Sequence, residues 1–314
     1  MRVALYILLA VTVILSVGYW ALTAGQSDRV PLIGGDDAAA PSTEDRYAPA
    51  GLTTATLSEN GQLNLSGTAI PKTTVTILAD AELLQSVRAG SDGAWKADAK
   101  IPAARIRRRV ITLTLQSDLG DDSLIGSEES LLVLAEPVDF NQGLFMVRPG
   151  AATRVLQTPF GTLPKQDGLT LEAADYDDAG GIIFSGRSDI AGRIRLSAGK
   201  SVLGETGPDA NGRWTLISSA GLPVGTYPMR LQLISENNAG IAQIDVPFTR
   251  NPPITPVNTI EQDGLDFPAP PKASAQFDET RWTITRPLSG GGMQHTIIWS
   301  PAILEPADAP DGDQ

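Results

Sequence analysis

Cysteine is absent from this 314-residue chain, which excludes disulfide frameworks, thiolate-ligated zinc and thiol catalysis. Histidine occurs once, at His295. That excludes multi-histidine metal centres and leaves a single candidate for any Ser-His-Asp arrangement. Basic residues are scarce: 24 Lys and Arg stand against 36 Asp and Glu, a net charge of −12. A nucleic-acid partner requires a basic footprint, so none is expected. No serine sits in a nucleophile-elbow motif and no glycine loop has the setting of a phosphate cradle, so neither catalytic residues nor a cofactor are expected. What is plentiful is Gly (31) and Pro (23), which fits a turn-rich β protein with linkers. The length suits about two domains.

The one long apolar run is at the start. Residues 3–25, VALYILLAVTVILSVGYWALTAG, carry no charge. As a helix they would reach about 34 Å, enough for a hydrocarbon layer of about 30 Å. A cleavable signal peptide competes with this reading, but its apolar core is typically about 7–15 residues, and Leu22 spoils the best cleavage position. Arg2 precedes the run and Asp28 is the first charge after it, so the expected topology is a cytoplasmic N-terminus with the bulk outside. Residues 26–50 are rich in Pro, Ala, Gly and Asp without periodicity and read as a disordered tether.

The body repeats itself. Residues 66–96 align with 185–215 without a gap: Ser66-Gly67 with Ser185-Gly186, Leu84 with Leu203, and Asp92-Gly93-Ala94-Trp95 with Asn211-Gly212-Arg213-Trp214. Each copy holds alternating segments (TTVTILAD, GRIRLSAG; VITLTLQS, MRLQLISE) separated by turn signals. The Asp-Gly and Asn-Gly pairs supply the positive φ that tight turns require. Six or seven short strands per copy predict an all-β chain with two immunoglobulin-like sandwiches, over 51–138 and 166–250. Trp95 and Trp214 are the expected core fillers. Residues 139–165 connect the copies, with short strands around Pro149-Gly150, and 251–276 form a Pro-rich linker.

Three clusters carry chemistry less well. Asp175, Asp177 and Asp178 have the donor type for calcium but lack the spacing of a helix–loop–helix site, so a solvated turn is the simpler reading and no metal is expected. Arg105, Arg107, Arg108 and Arg109 read as a charged strand edge that resists aggregation. A carboxylate pair for glycoside hydrolysis would have to come from many acids, none of which stands out.

The C-terminal stretch has Asp278-Glu279-Thr280-Arg281-Trp282-Thr283-Ile284, then Ser289-Gly290-Gly291-Gly292, then His295-Thr296-Ile297-Ile298-Trp299 and Ile303-Leu304-Glu305-Pro306. It resembles a degenerate LysM motif, the small βααβ module of bacterial envelope proteins that binds peptidoglycan glycan. MVRPGAATRVLQTP (146–159) and DANGRW (209–214) are similar to a family that sets immunoglobulin-like repeats before such a motif. The resemblance implies helices and strands over 277–314 and glycan contacts from Thr280, Trp282, Ile284, Gly290, Gly291 and Gly292. The chain departs from the family at Arg281, in place of an apolar packing residue, and at Pro287, which shortens a helix.

Together these readings predict a non-catalytic, peptidoglycan-associated protein of the bacterial inner membrane. It would be single-pass through residues 3–25, with its bulk in the periplasm. The alternative is a spacer or docking platform for an envelope protein partner, in which the LysM remnant no longer binds glycan.

Overall fold

The computed structural model describes residues 48–304, apart from 103–109, 121–122, 135–141, 219–220, 254–258, 263–264, 269–271, 279 and 289–291. The expected membrane span at 3–25, the tether up to residue 47, Arg105 to Arg109 and the tail 305–314 lie outside the described residues. Among the described residues no helix is long and apolar enough to cross a membrane.

The described chain is all-β. Its first sandwich contains β1 (Gly51–Leu57), β2 (Gln62–Thr68), β3 (Thr74–Ala79), β4 (Glu82–Arg88), β5 (Ala94–Lys100), β6 (Val110–Asp118) and β7 (Leu124–Leu134). One sheet has the order β1-β2-β5. The other runs β4-β3-β6-β7 and is extended by β8 (Gly143–Val147) and β9 (Arg154–Gln157). After the short β10 (Lys165–Gln166), the second copy repeats the plan. Its strands are β11 (Leu169–Asp177), β12 (Ile182–Ser188), β13 (Arg193–Ala198), β14 (Ser201–Thr206), β15 (Arg213–Ser218), β16 (Gly225–Ile234) and β17 (Gly240–Arg250). Here β15-β12-β11 face β14-β13-β16-β17. Three strands against four, all antiparallel, is an immunoglobulin-like arrangement. Both sandwiches fall within one compact unit.

The repeated Ser-Gly and Trp positions explain each other. Gly67 lies opposite Trp95, and Gly186 opposite Trp214. A Cβ on Gly67 would stand 2.6 Å from the Trp95 ring and 2.0 Å from the Gly51 carbonyl oxygen. On Gly186 it would meet the Trp214 ring at 2.5 Å and the Thr170 oxygen at 2.1 Å. Each glycine leaves the space its indole fills, and both indoles lie in their sandwich cores. Gly93 and Gly212 take φ of +81° and +72° in the turns that precede those tryptophans.

The C-terminal stretch is where the structure differs most from expectation. After the hairpin of β18 (Thr259–Gln262) and β19 (Leu265–Pro268) come β20 (Ser274–Asp278), β21 (Arg281–Pro287) and β22 (Met293–Trp299). Residues assigned by resemblance to the helices of a LysM module are strands, followed by one 3-10 turn at Pro301–Leu304. The reason is local: Thr283, Ile284, Thr285, Thr296, Ile297 and Ile298 are β-branched and favour extended backbone. The three strands form no separate module. β22 pairs with the free edge of β11, giving the order β15-β12-β11-β22-β21-β20.

Candidate functional site

The extended sheet of each sandwich has two buried faces where the copies meet. In β8, Leu144 and Met146 point into the first core, whereas Phe145 and Val147 point outward. In β7, Leu131 and Val133 face the core and Leu132 and Leu134 face out. In the second sandwich, Ile297 and Trp299 of β22 face its core, whereas Ile298 faces out with Trp282 and Ile284 of β21. The outward sets meet in one apolar cluster that also includes Val110, Ala173 and Ala275. The seam therefore joins the two repeats through side chains that would be solvent-facing in an isolated sandwich.

A polar node closes the end of this seam. The Asp175 carboxylate, 2% exposed, accepts from the Thr153 amide (2.7 Å), the Thr153 hydroxyl (2.6 Å), the Thr296 hydroxyl (2.5 Å) and Gln294 Nε2 (3.1 Å). Thr153 precedes β9 in the connection between repeats, and its carbonyl accepts from the Ser185 hydroxyl (3.2 Å). Burial raises the Asp175 carboxyl above its ordinary value, against the opposing effect of these donors. Gln294 also accepts from Arg286, whose pKa is lowered by burial while the Asp175 charge acts to raise it.

His295 lies on the other face of β22. Its ring stacks on Tyr176 at 4.6 Å and 15°, and Nδ1 lies 3.0 Å from the Thr285 hydroxyl. Burial lowers its pKa, which favours the neutral ring. It is sealed inside the second sandwich, without solvent access for proton transfer.

The residues expected to touch glycan differ in exposure. Trp282 is 1% exposed and lies 5.1 Å from Phe277 within the seam; Ile284 is buried beside it. Thr280 is half-buried in the β20–β21 turn, where its carbonyl accepts from the Ser300 amide. Gly292 is exposed with φ +81°, and Gly290 and Gly291 lie outside the described residues. Among the described members of this set, the two apolar ones, Trp282 and Ile284, are spent on packing. Arg281, the departure from the family pattern, has a role of its own. It donates to the Pro247 carbonyl (3.2 Å) and the Thr249 hydroxyl (3.2 Å), and Trp299 Nε1 donates to the same Pro247 carbonyl (3.0 Å). The two side chains cap the outer edge of β17.

The aspartates considered for calcium diverge. Asp175 points into the seam, Asp177 caps the Gly180 and Gly181 amides of its own turn, and Asp178 accepts from the Met293 amide. Among the described residues no group of three or more His, Asp or Glu is placed to hold a metal ion. Sequence reasoning missed Thr153, Gln294, Thr296 and Arg286. Gln294, Thr296 and Arg286 are polar residues within strands, and Thr153 lies in the connection before β9, so no pattern in the sequence joined them.

No protein-family model matches the chain, and no curated protein matches it. Among solved structures, it is similar to the central fibronectin-III array of RIM-binding protein. The likeness has 12% identity, covers 65% of this chain and 98% of that one, and has a TM-score of 0.19. At that score the assignment to tandem β-sandwiches rests on strand order alone.

Proposed function

We propose that this chain is a non-catalytic envelope protein whose two sandwiches act as a rigid spacer and protein-docking platform. The observation that supports this reading is the apolar seam from Val110 to Ile298, which couples the repeats where a flexible linker would let them move independently. The apolar run at 3–25 would tether the N-terminus to the inner membrane and leave the sandwiches in the periplasm. Peptidoglycan association through the C-terminal strands is the weaker reading, since Trp282 and Ile284 are buried in the seam.

The cysteine-free sequence makes the test direct. Leu83 and Val202 are equivalent positions of the two repeats and are 64% and 58% exposed. Spin labels on Leu83→Cys and Val202→Cys in the full chain should give one narrow distance distribution by pulsed electron resonance. A broad distribution would show hinged repeats and overturn the spacer reading. In parallel, the full chain in detergent should stay in the supernatant when purified sacculi are pelleted; co-sedimentation would favour the glycan reading.

A further inference from the structure

Each sandwich ends its three-stranded side in an edge strand, β5 in the first and β15 in the second. Outward positions of β5 carry Lys96, Asp98 and Lys100, charges that lose water when another strand pairs there. The positions of β15 equivalent to Lys96 and Asp98 hold Thr215 and Ile217, and Ile217 is 68% exposed. Other edges are blocked in different ways. β4 and β14 join their sheets through irregular registers. β17 carries Pro247, whose carbonyl already accepts from Arg281 and Trp299. β15 pairs with β12 in an unbroken register and lacks such a guard.

The start of β15 shows which of its backbone groups are free. The Arg213 amide donates to the Asp209 side chain and its carbonyl accepts from the Asp209 amide, so Arg213 turns these groups away from β12. Antiparallel alternation turns the amides and carbonyls of Thr215 and Ile217 the same way. Among the described residues those four groups meet no backbone partner. Charge at this end is balanced. Arg187 and Arg213 reach inward to Glu172, at 2.9 Å and 3.5 Å, and Asp209 holds the Arg213 backbone. Two positive and two negative groups neither select a charged strand nor repel a second copy of the same edge.

We infer that β15 is a dimerisation edge, pairing antiparallel with β15 of a second copy of this chain about a twofold axis at Leu216. That register sets Thr215 opposite Ile217 of the second copy, and Ile217 opposite its Thr215. The two pairs exchange four backbone hydrogen bonds, which use every free amide and carbonyl of Thr215 and Ile217. Arg213 keeps its bonds to Asp209, whereas a twofold axis at Thr215 would need the groups that Asp209 holds. On the outward face the paired side chains are β-branched. What favours a second copy over a foreign strand is that the free segment is its own complement in charge, in hydrogen bonding and in side chains. The two Arg213 side chains then lie about 20 Å apart along the strand axis, beyond the roughly 8 Å over which charges are felt at physiological salt. Twofold pairing closes on itself, and one sheet runs from β20 of one copy to β20 of the other. The dimer goes beyond the spacer reading and neither requires nor excludes it.

The absence of native cysteine allows a register-specific test. Full chains carrying Thr215→Cys and full chains carrying Ile217→Cys are mixed in detergent, with micelles in excess over chains, and oxidised. Directly opposite positions hold their Cβ atoms about 5 Å apart and diagonal ones about 7 Å. The mixture should therefore form an interchain disulfide that neither variant forms alone. Amide hydrogen exchange gives a second readout without cysteine. Once the dimer predominates, raising the concentration about a hundredfold should slow exchange of the Thr215 and Ile217 amides about tenfold, because they exchange from the monomer. Ile217→Lys, at an exposed site, should abolish that dependence. So should Thr215→Pro, which removes an amide that does not face β12. No disulfide in the mixture, equal yields from either variant alone, or exchange independent of concentration overturns the inference. The distance between labels at 83 and 202, read in chains diluted with unlabelled protein, reports on the spacer separately. A narrow distribution without a dimer leaves that reading standing.

Discussion

Thr153 is gripped at its amide, hydroxyl and carbonyl, and two of those three contacts go to Asp175. The carboxylate is thus a positioning group for the connection between repeats. Asp175→Ala would leave the Thr153 amide and Gln294 without an acceptor, at a cost of about 1–3 kcal/mol in urea unfolding followed by tryptophan fluorescence. Asp175→Asn should cost less at neutral pH, because it removes the burial of a charge. Its pH dependence is the sharper check. The folded-state pKa of Asp175 lies above the unfolded value of 3.8, so its contribution is full below 3.8 and is lost as pH rises through the folded value. The stability of Asp175→Asn relative to the parent should therefore improve with rising pH, and a constant gap would contradict a raised pKa. His295 acts in the opposite sense. Its folded pKa is depressed below 6.5, so stability is lost as pH falls from 6.5 through the folded value. His295→Phe, which keeps a ring against Tyr176, should remove that acid-side loss.

At the scale of strands, β20 to β22 complete a sheet begun about a hundred residues earlier. A chain ending at residue 273 would uncover the β11 edge and the outward faces of β7 and β8 together. It should aggregate or lose cooperative unfolding, measurable by light scattering and calorimetry. The sequence made part of this legible. Alternation in TVTILA and RIRLSA marks half-buried strands, and the Ser-Gly and Trp correspondences mark the repeat. The run GLFMV is continuous because β8 is buried on both faces. The same double burial misled at β22. MQHTIIW has apolar and polar groups on both faces, since one face serves the core and the other serves the seam and its node. A short run of that kind has no decisive period, and resemblance assigned it to a helix. Its pairing with β11 could not be read at all, because Thr296 and Asp175 are 121 residues apart in the chain.

For the molecule as a whole, the seam decides whether two repeats behave as one body. Phe145 is buried on the outward side of β8, so its loss strips the seam without opening the first core, which Leu144 and Met146 fill. Phe-to-Ala changes in packed settings cost about 3–5 kcal/mol. If the repeats are stabilised by each other, the parent chain should unfold in a single calorimetric transition with matching calorimetric and van't Hoff enthalpies. Phe145→Ala should then separate that transition into two, because each sandwich keeps its own tryptophan-centred core. The same substitution should broaden the spin-label distance between residues 83 and 202, tying the thermodynamic coupling to the geometry a spacer requires. Two transitions in the parent chain would mean that the seam is a contact between independent domains, and the platform would lose its rigidity.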